Sequence, residues 1–146
     1  MDRLLYLVAL GLVKFLQALP LRWVARIGRK AGALAYLLDA RHRRVAQRNL
    51  AMCFGQELSL KEIRDLAREN LRRLGESYCC AVKTAAMSWD ELKAFVEFRG
   101  ADKLTPRDPA DKPRSVVVAI GHFGNFELYA RFVQVMPAFQ DRKSVV

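Results

Sequence analysis

Two side chains in this sequence are spaced for proton transfer, His122 and Glu127, within the run Gly121-His122-Phe123-Gly124-Asn125-Phe126-Glu127. An imidazole that hydrogen-bonds a carboxylate through one ring nitrogen has its tautomer fixed, and its other nitrogen is free to act as a general base. Two opposing influences set the basicity of such a histidine. The carboxylate favours the imidazolium, and the positive end of a following helix disfavours it. Free N–H groups at the helix start can also stabilise a developing oxyanion. The run holds no Ser, Cys or Thr, which points to direct attack by a substrate hydroxyl rather than to a covalent enzyme intermediate. A lone His-x4-Glu has a plainer alternative, a glycine-rich turn whose histidine caps a neighbour, so its weight depends on the elements around it.

Those elements are an expected strand and an expected helix. Ser115–Ile120 (SVVVAI) is a β-branched apolar run and predicts a buried, central strand. Asn125 to about Met136 reads as a helix ended by Pro137. With Gly124 as N-cap, Glu127 falls at N3. A strand that ends in a glycine-rich turn delivers its last side chains to a sheet edge, where α/β proteins place their sites. Residues 101–114, with Pro106, Pro109 and Pro113, read as loop, and Phe95–Arg99 (FVEFR) alternates like a second strand stopped by Gly100.

Upstream, Ser59…Glu62 and Ser88…Glu91 each match a capping box. The first opens a long helix with apolar residues at helical spacing to about Met87, weakened slightly by Gly75; the second opens a short helix to about Ala94. Leu4–Leu21 is apolar nearly all round, with one charge, Lys14, and one amide, Gln17. A helix of that length rises about 27 Å, barely the hydrocarbon thickness. It reads as membrane-contacting, either spanning or lying obliquely with Lys14 snorkelling. A buried core helix fits less well, and so does a cleaved signal peptide, since Arg3 is offset by Asp2 and no small-residue cleavage site follows. Pro20 breaks that helix. Trp23–Leu38 follows as an amphipathic helix with Arg22, Arg26, Arg29 and Lys30 on its polar side. Next come the cluster Arg41-His42-Arg43-Arg44 and a short helical stretch, Val45–Phe54.

Charge is concentrated in the same region. The 146-residue chain carries +10, and residues 1–50 hold ten basic and two acidic residues. Basic and apolar together suit an anionic membrane surface; nucleic-acid binding rests on charge alone and is the weaker reading. Hydrophobic residues at 52% exclude general disorder, and charged residues at 27% exclude a simple bundle of spans. Cys53, Cys79 and Cys80 have no metal-ligand spacing and read as reduced, small apolar side chains.

The run GHFGNFE at 121–127 resembles the H-x4-D/E signature of the lipid A biosynthesis acyltransferases, the late lauroyl/myristoyl transferases of the wider lysophospholipid acyltransferase superfamily. RHRRVAQRNL at 41–50 and the order of upstream elements are similar too. The resemblance implies an α/β fold: membrane-associated N-terminal helices (residues 1–40 as anchor) followed, over 41–146, by part of a glycerolipid-acyltransferase-like mixed sheet flanked by helices. It implies that a fatty acyl group passes from an acyl carrier protein thioester to a hydroxyl of a lipid A precursor at the cytoplasmic face of a bacterial inner membrane. By the same resemblance His122 deprotonates the hydroxyl and Glu127 orients His122, with no metal and no cofactor beyond the donor. Gly121, Phe123, Gly124, Asn125 and Phe126 would line the substrate, and backbone N–H groups at 124–126 are candidates for the oxyanion. Arg41, Arg43, Arg44 and Arg48 would meet either acceptor phosphates or the acidic carrier protein. Expected partners are therefore membrane lipids, the carrier protein and the glycolipid, with no nucleic acid. Later strands should follow the 125–136 helix, so the expectation is a chain cut short at Val146. Two alternatives stay open: a catalytically incomplete membrane-binding fragment, or an acyltransferase for another glycolipid such as a phosphatidylinositol mannoside.

Overall fold

A computed structural model describes residues 2–97, 99, 121, 124–126 and 128. Its regular elements are α1 (Asp2–Ala18), α2 (Leu21–Leu38), α3 (Ala40–Phe54), α4 (Leu60–Ala85) and α5 (Trp89–Leu92). The chain divides into two compact units, Met1–Ala86 and Met87–Val146.

In the first unit, local chemistry sets each helix end. Pro20 disfavours helical backbone at the residue before it and stops α1. Its carbonyl then accepts from Trp23 N–H at 2.9 Å and opens α2. Asp39 serves two helices. Its N–H donates to Ala35 O at 2.8 Å, closing α2, and its carboxylate accepts the His42 N–H at 3.0 Å, opening α3. The box at Ser59 is formed as expected: Ser59 Oγ accepts from Glu62 N–H at 3.3 Å, and Glu62 Oε2 accepts from Ser59 N–H at 2.8 Å. That reciprocal pair satisfies two donors the helix start would otherwise leave open.

The unit is organised around the α2–α4 crossing, with α3 packed on α4 and α2 and with the end of α1 docked on α4. Val24, Ile63, Ala67 and Leu16 are buried. Gly28 and Gly32, four residues apart on α2, let its backbone touch that of α4 at Leu71, Arg72, Gly75 and Glu76. A Cβ on Gly28 would sit 2.5 Å from the Gly75 carbonyl oxygen. This is the small-xxx-small solution to close helix packing.

In the second unit, α5 begins with the other expected capping box, Glu91 Oε2 accepting from Ser88 N–H at 2.7 Å. A turn closed by Phe95 N–H to Leu92 O at 2.8 Å ends it.

The structure corrects the expected fold class. Among the described residues 79% are helical and none is in a strand, so the mixed α/β sheet gives way to an all-helical architecture there. The strand expected at Phe95–Arg99 is absent from its described part: Phe95 belongs to the turn after α5, and Val96 and Glu97 have no regular structure. Five alternating residues satisfy their backbone as a strand only beside a partner strand. Glu97 and Arg99 instead pair with each other at 2.9 Å. The loop expected at 101–114, the strand at 115–120 and the helix beyond Leu128 lie outside the described residues.

Candidate functional site

The turn that carries the expected chemistry, 121–127, is described at four of its positions. Gly121 and Gly124 are exposed, and Asn125 and Phe126 are half-buried. Gly124 has φ +58°, the left-handed region that a Cβ penalises, which is a reason for glycine there. Leu128 N–H then donates to Asn125 O at 3.2 Å, and Leu128 is helical. The backbone therefore makes a left-handed bend at Gly124 and enters helical geometry within four residues. His122, Phe123 and Glu127 lie outside the described residues.

The structure separates the four arginines of the basic block. Arg41, Arg44 and Arg48 are exposed and, at spacings of three and four, share one face of α3. None of them has an acidic partner among the described residues. Arg43 turns back onto α2. Its Nη1 donates to Tyr36 O at 2.8 Å and Leu37 O at 2.9 Å, and its guanidinium lies 5.7 Å from the centre of the Tyr36 ring. A cation on the last carbonyls of a helix is favourably placed against the helix dipole. Tyr36 is held in turn by Gln47, whose Nε2 donates to Tyr36 Oη at 2.9 Å. His42 pairs with Asp39 through Nδ1 at 2.5 Å. The hydrogen bond from the His42 backbone, followed by that from its ring, holds the Asp39 carboxyl below its ordinary value.

Apolar surface is the other prominent feature. On α1, Leu4, Leu5, Tyr6, Val8, Leu12 and Phe15 are all exposed, while Leu16 near its end is buried. Lys83 of α4 donates to Gln17 O at 2.5 Å and ties that end down. On α2, Trp23, Leu34, Leu37 and Leu38 are exposed, with Arg26 over the Trp23 ring at 5.2 Å. Among the described residues, no helix is long and apolar enough to cross a membrane.

Beside the glycine crossing lies an ionic clamp whose Glu69–Arg73 pair, four residues apart on α4, is legible in the sequence, whereas its link to α2 is not. Arg29 of α2 reaches Glu69 at 2.9 Å and Glu76 at 3.2 Å on α4, and Arg73 bonds the same two carboxylates at 2.9 and 3.1 Å. Partial burial works against ionised Glu69, but the charge and hydrogen bond of Arg29, with Arg72 and Arg73, outweigh it and hold the carboxyl below its ordinary value. The spacing of Gly28 and Gly32 was the available signal for the crossing, and Arg29 between them for the clamp. Burial pushes the Cys79 and Cys80 thiols up, consistent with small inert side chains, whereas Cys53 is exposed. Among the described residues no group of His, Cys, Asp and Glu could hold a metal ion.

A greasy first helix, a basic block, a capped long helix and a G-H-x-G-N-aromatic-E turn describe an acyltransferase of lipid metabolism. The model of the bacterial lipid A biosynthesis acyltransferase family matches residues 2–137, and the chain belongs to that family. No curated protein and no solved structure matches the chain.

Proposed function

We propose that this lipid A biosynthesis acyltransferase moves a fatty acyl group from an acyl carrier protein thioester to a hydroxyl of a lipid A precursor at the cytoplasmic face of the inner membrane. His122 takes the proton of the acceptor hydroxyl while the hydroxyl oxygen attacks the thioester carbonyl. The C–S bond then breaks, and the proton passes from His122 to the leaving thiolate. Glu127 fixes the imidazole tautomer and stabilises the imidazolium. Gly121, Phe123, Gly124, Asn125 and Phe126 shape the substrate side of the turn, and N–H groups at 124–126 serve the tetrahedral oxyanion. Residues 1–40 hold the protein at the bilayer.

One observation carries this reading: the family match spans the run that holds His122, the left-handed Gly124 and Glu127. The test is transfer of a radiolabelled acyl chain to a lipid A precursor by the membrane-bound protein. His122→Ala should lower kcat by about 10²–10⁴, and Glu127→Gln should lower it less. Undiminished turnover in His122→Ala would remove the mechanism. Turnover on a mannosylated phosphatidylinositol but not on a lipid A precursor would replace the acceptor.

A further inference from the structure

We propose that the corner where α2 passes into α3 is a second membrane contact, one that reads the negative charge of the bilayer. Leu34, Leu37 and Leu38 lie at helical spacing on the last turns of α2 and are exposed, Leu38 at 76%. One residue separates α2 from α3, and the exposed stripe of α3 then runs through Arg41, Arg44 and Arg48. Val45 and Met52 stand in that stripe and are exposed too, Met52 at 76%. Exposed apolar and cationic side chains thus follow one another along the two helices on either side of Asp39.

Three features choose an anionic lipid surface as its occupant. The charges are uncompensated: within the same unit Arg29, Arg72 and Arg73 are matched by Glu69 and Glu76, while Arg41, Arg44 and Arg48 have no acidic partner among the described residues. The apolar residues are interleaved with the charges, the pattern of an interfacial helix whose aliphatic groups enter the acyl boundary while guanidinium groups stay at the phosphates. The corner is also pinned. Asp39 holds both helix ends, and Arg43 staples α3 back onto the Tyr36 and Leu37 carbonyls. Arg43 is thereby withdrawn from the lipid-facing set. An acidic carrier protein would match the charge, but it gives no reason for five exposed leucine, valine and methionine side chains between and beside the arginines.

The inference rests on the reading that the chain works at a bilayer. Its test needs no turnover, so the His122→Ala assay reports on the mechanism separately. Partitioning of the full chain is measured onto vesicles of phosphatidylcholine alone and of phosphatidylcholine with one-third phosphatidylglycerol. A basic side chain near an anionic surface contributes about fivefold, so Arg41→Gln/Arg44→Gln/Arg48→Gln should lower partitioning onto the anionic vesicles on the order of a hundredfold. Partitioning onto neutral vesicles should stay within about twofold, because the lost attraction is purely that of lipid charge. Leu37→Ser/Leu38→Ser should weaken binding to both. For the parent chain, raising salt should reproduce the charge-dependent loss; salt-independent binding overturns the proposal without recourse to any variant. Equal loss of the triple variant on both vesicles also overturns it. So does unchanged anionic binding with lost binding to acyl carrier protein, which would assign the face to that partner.

Discussion

One methyl group at Gly28 tests how closely α2 and α4 cross. The Cβ of Gly28→Ala would lie 2.5 Å from the Gly75 carbonyl oxygen and 2.8 Å from the Glu76 Cα. Ordinary contact begins at 3.4 Å, a shortfall of about 0.9 Å. Both obstacles are backbone atoms inside a helix, so neither can step aside alone and the helices must part. A gap of that order forfeits roughly a quarter to a half of the dispersion energy of each atom pair across the seam. Overpacking of this kind costs about 1–3 kcal/mol, and a seam made of backbone belongs at the upper end. Alanine's better helix propensity returns about 1 kcal/mol. The expected net destabilisation is about 2 kcal/mol. Gly11 on α1 supplies the control: a Cβ there meets nothing within 4 Å, so Gly11→Ala should stabilise by about 1 kcal/mol or less. Urea unfolding in a mild detergent, followed by far-ultraviolet circular dichroism, reads both. If Gly28→Ala unfolds at the parent's midpoint or above, the crossing is looser than described and the reasoning fails. The double variant Gly28→Ala/Gly75→Ala should cost less than the two single changes together, since one separation relieves both clashes.

Further outcomes follow from the caps and charges. Ser59→Ala should lower stability by about 1 kcal/mol in the same urea assay, because it removes the acceptor for the Glu62 N–H at the start of α4. Arg43→Ala should cost about 1 kcal/mol by uncovering the last carbonyls of α2, and Arg43→Lys should recover only part of it, since a single ammonium lacks the fork and the stacking on Tyr36. Glu69 is held below its ordinary value of 4.5, so its contribution is complete above that pH and is lost as pH falls through the lower folded value. Stability measured against pH should therefore drop below about pH 4.5 in the parent, and Glu69→Gln should remove that portion of the slope. An unchanged slope would mean the clamp with Arg29 contributes nothing.

The parts of the fold legible in the sequence are those fixed by neighbours a few residues away. Serine and glutamate three apart were enough to place the starts of α4 and α5, and Pro20 was enough to divide α1 from α2. The start of α3 is less legible: the sequence predicts a helix from Val45, with Arg41 to Arg44 as a preceding cluster, whereas Asp39 caps the backbone and draws the arginines into the first turns. Gly75 read as a weak point in a long helix, because its purpose lies across the interface at Gly28 and Gly32. Alternation at 95–99 misled for a related reason, since a strand is defined by a partner that local pattern does not supply. The turn at 121–127 was legible as a motif because its chemistry is compressed into seven residues. The distinct behaviour of Arg43 was not, since Arg41, Arg43, Arg44 and Arg48 look alike until the α2 carbonyls are in place.

The tether between α1 and α4 has a consequence during synthesis. Lys83, which caps α1 by donating to the Gln17 carbonyl, lies 66 residues further along the chain. At bacterial and eukaryotic elongation rates of 5–20 residues per second, roughly 3–13 s elapse between the two leaving the ribosome. For that interval a helix with leucines on most of its sides exists without the element that fastens it. Leu4, Leu5, Leu7, Leu10 and Leu12 stay exposed once the bond forms, so Lys83 fixes the end of the helix in place without covering its apolar sides.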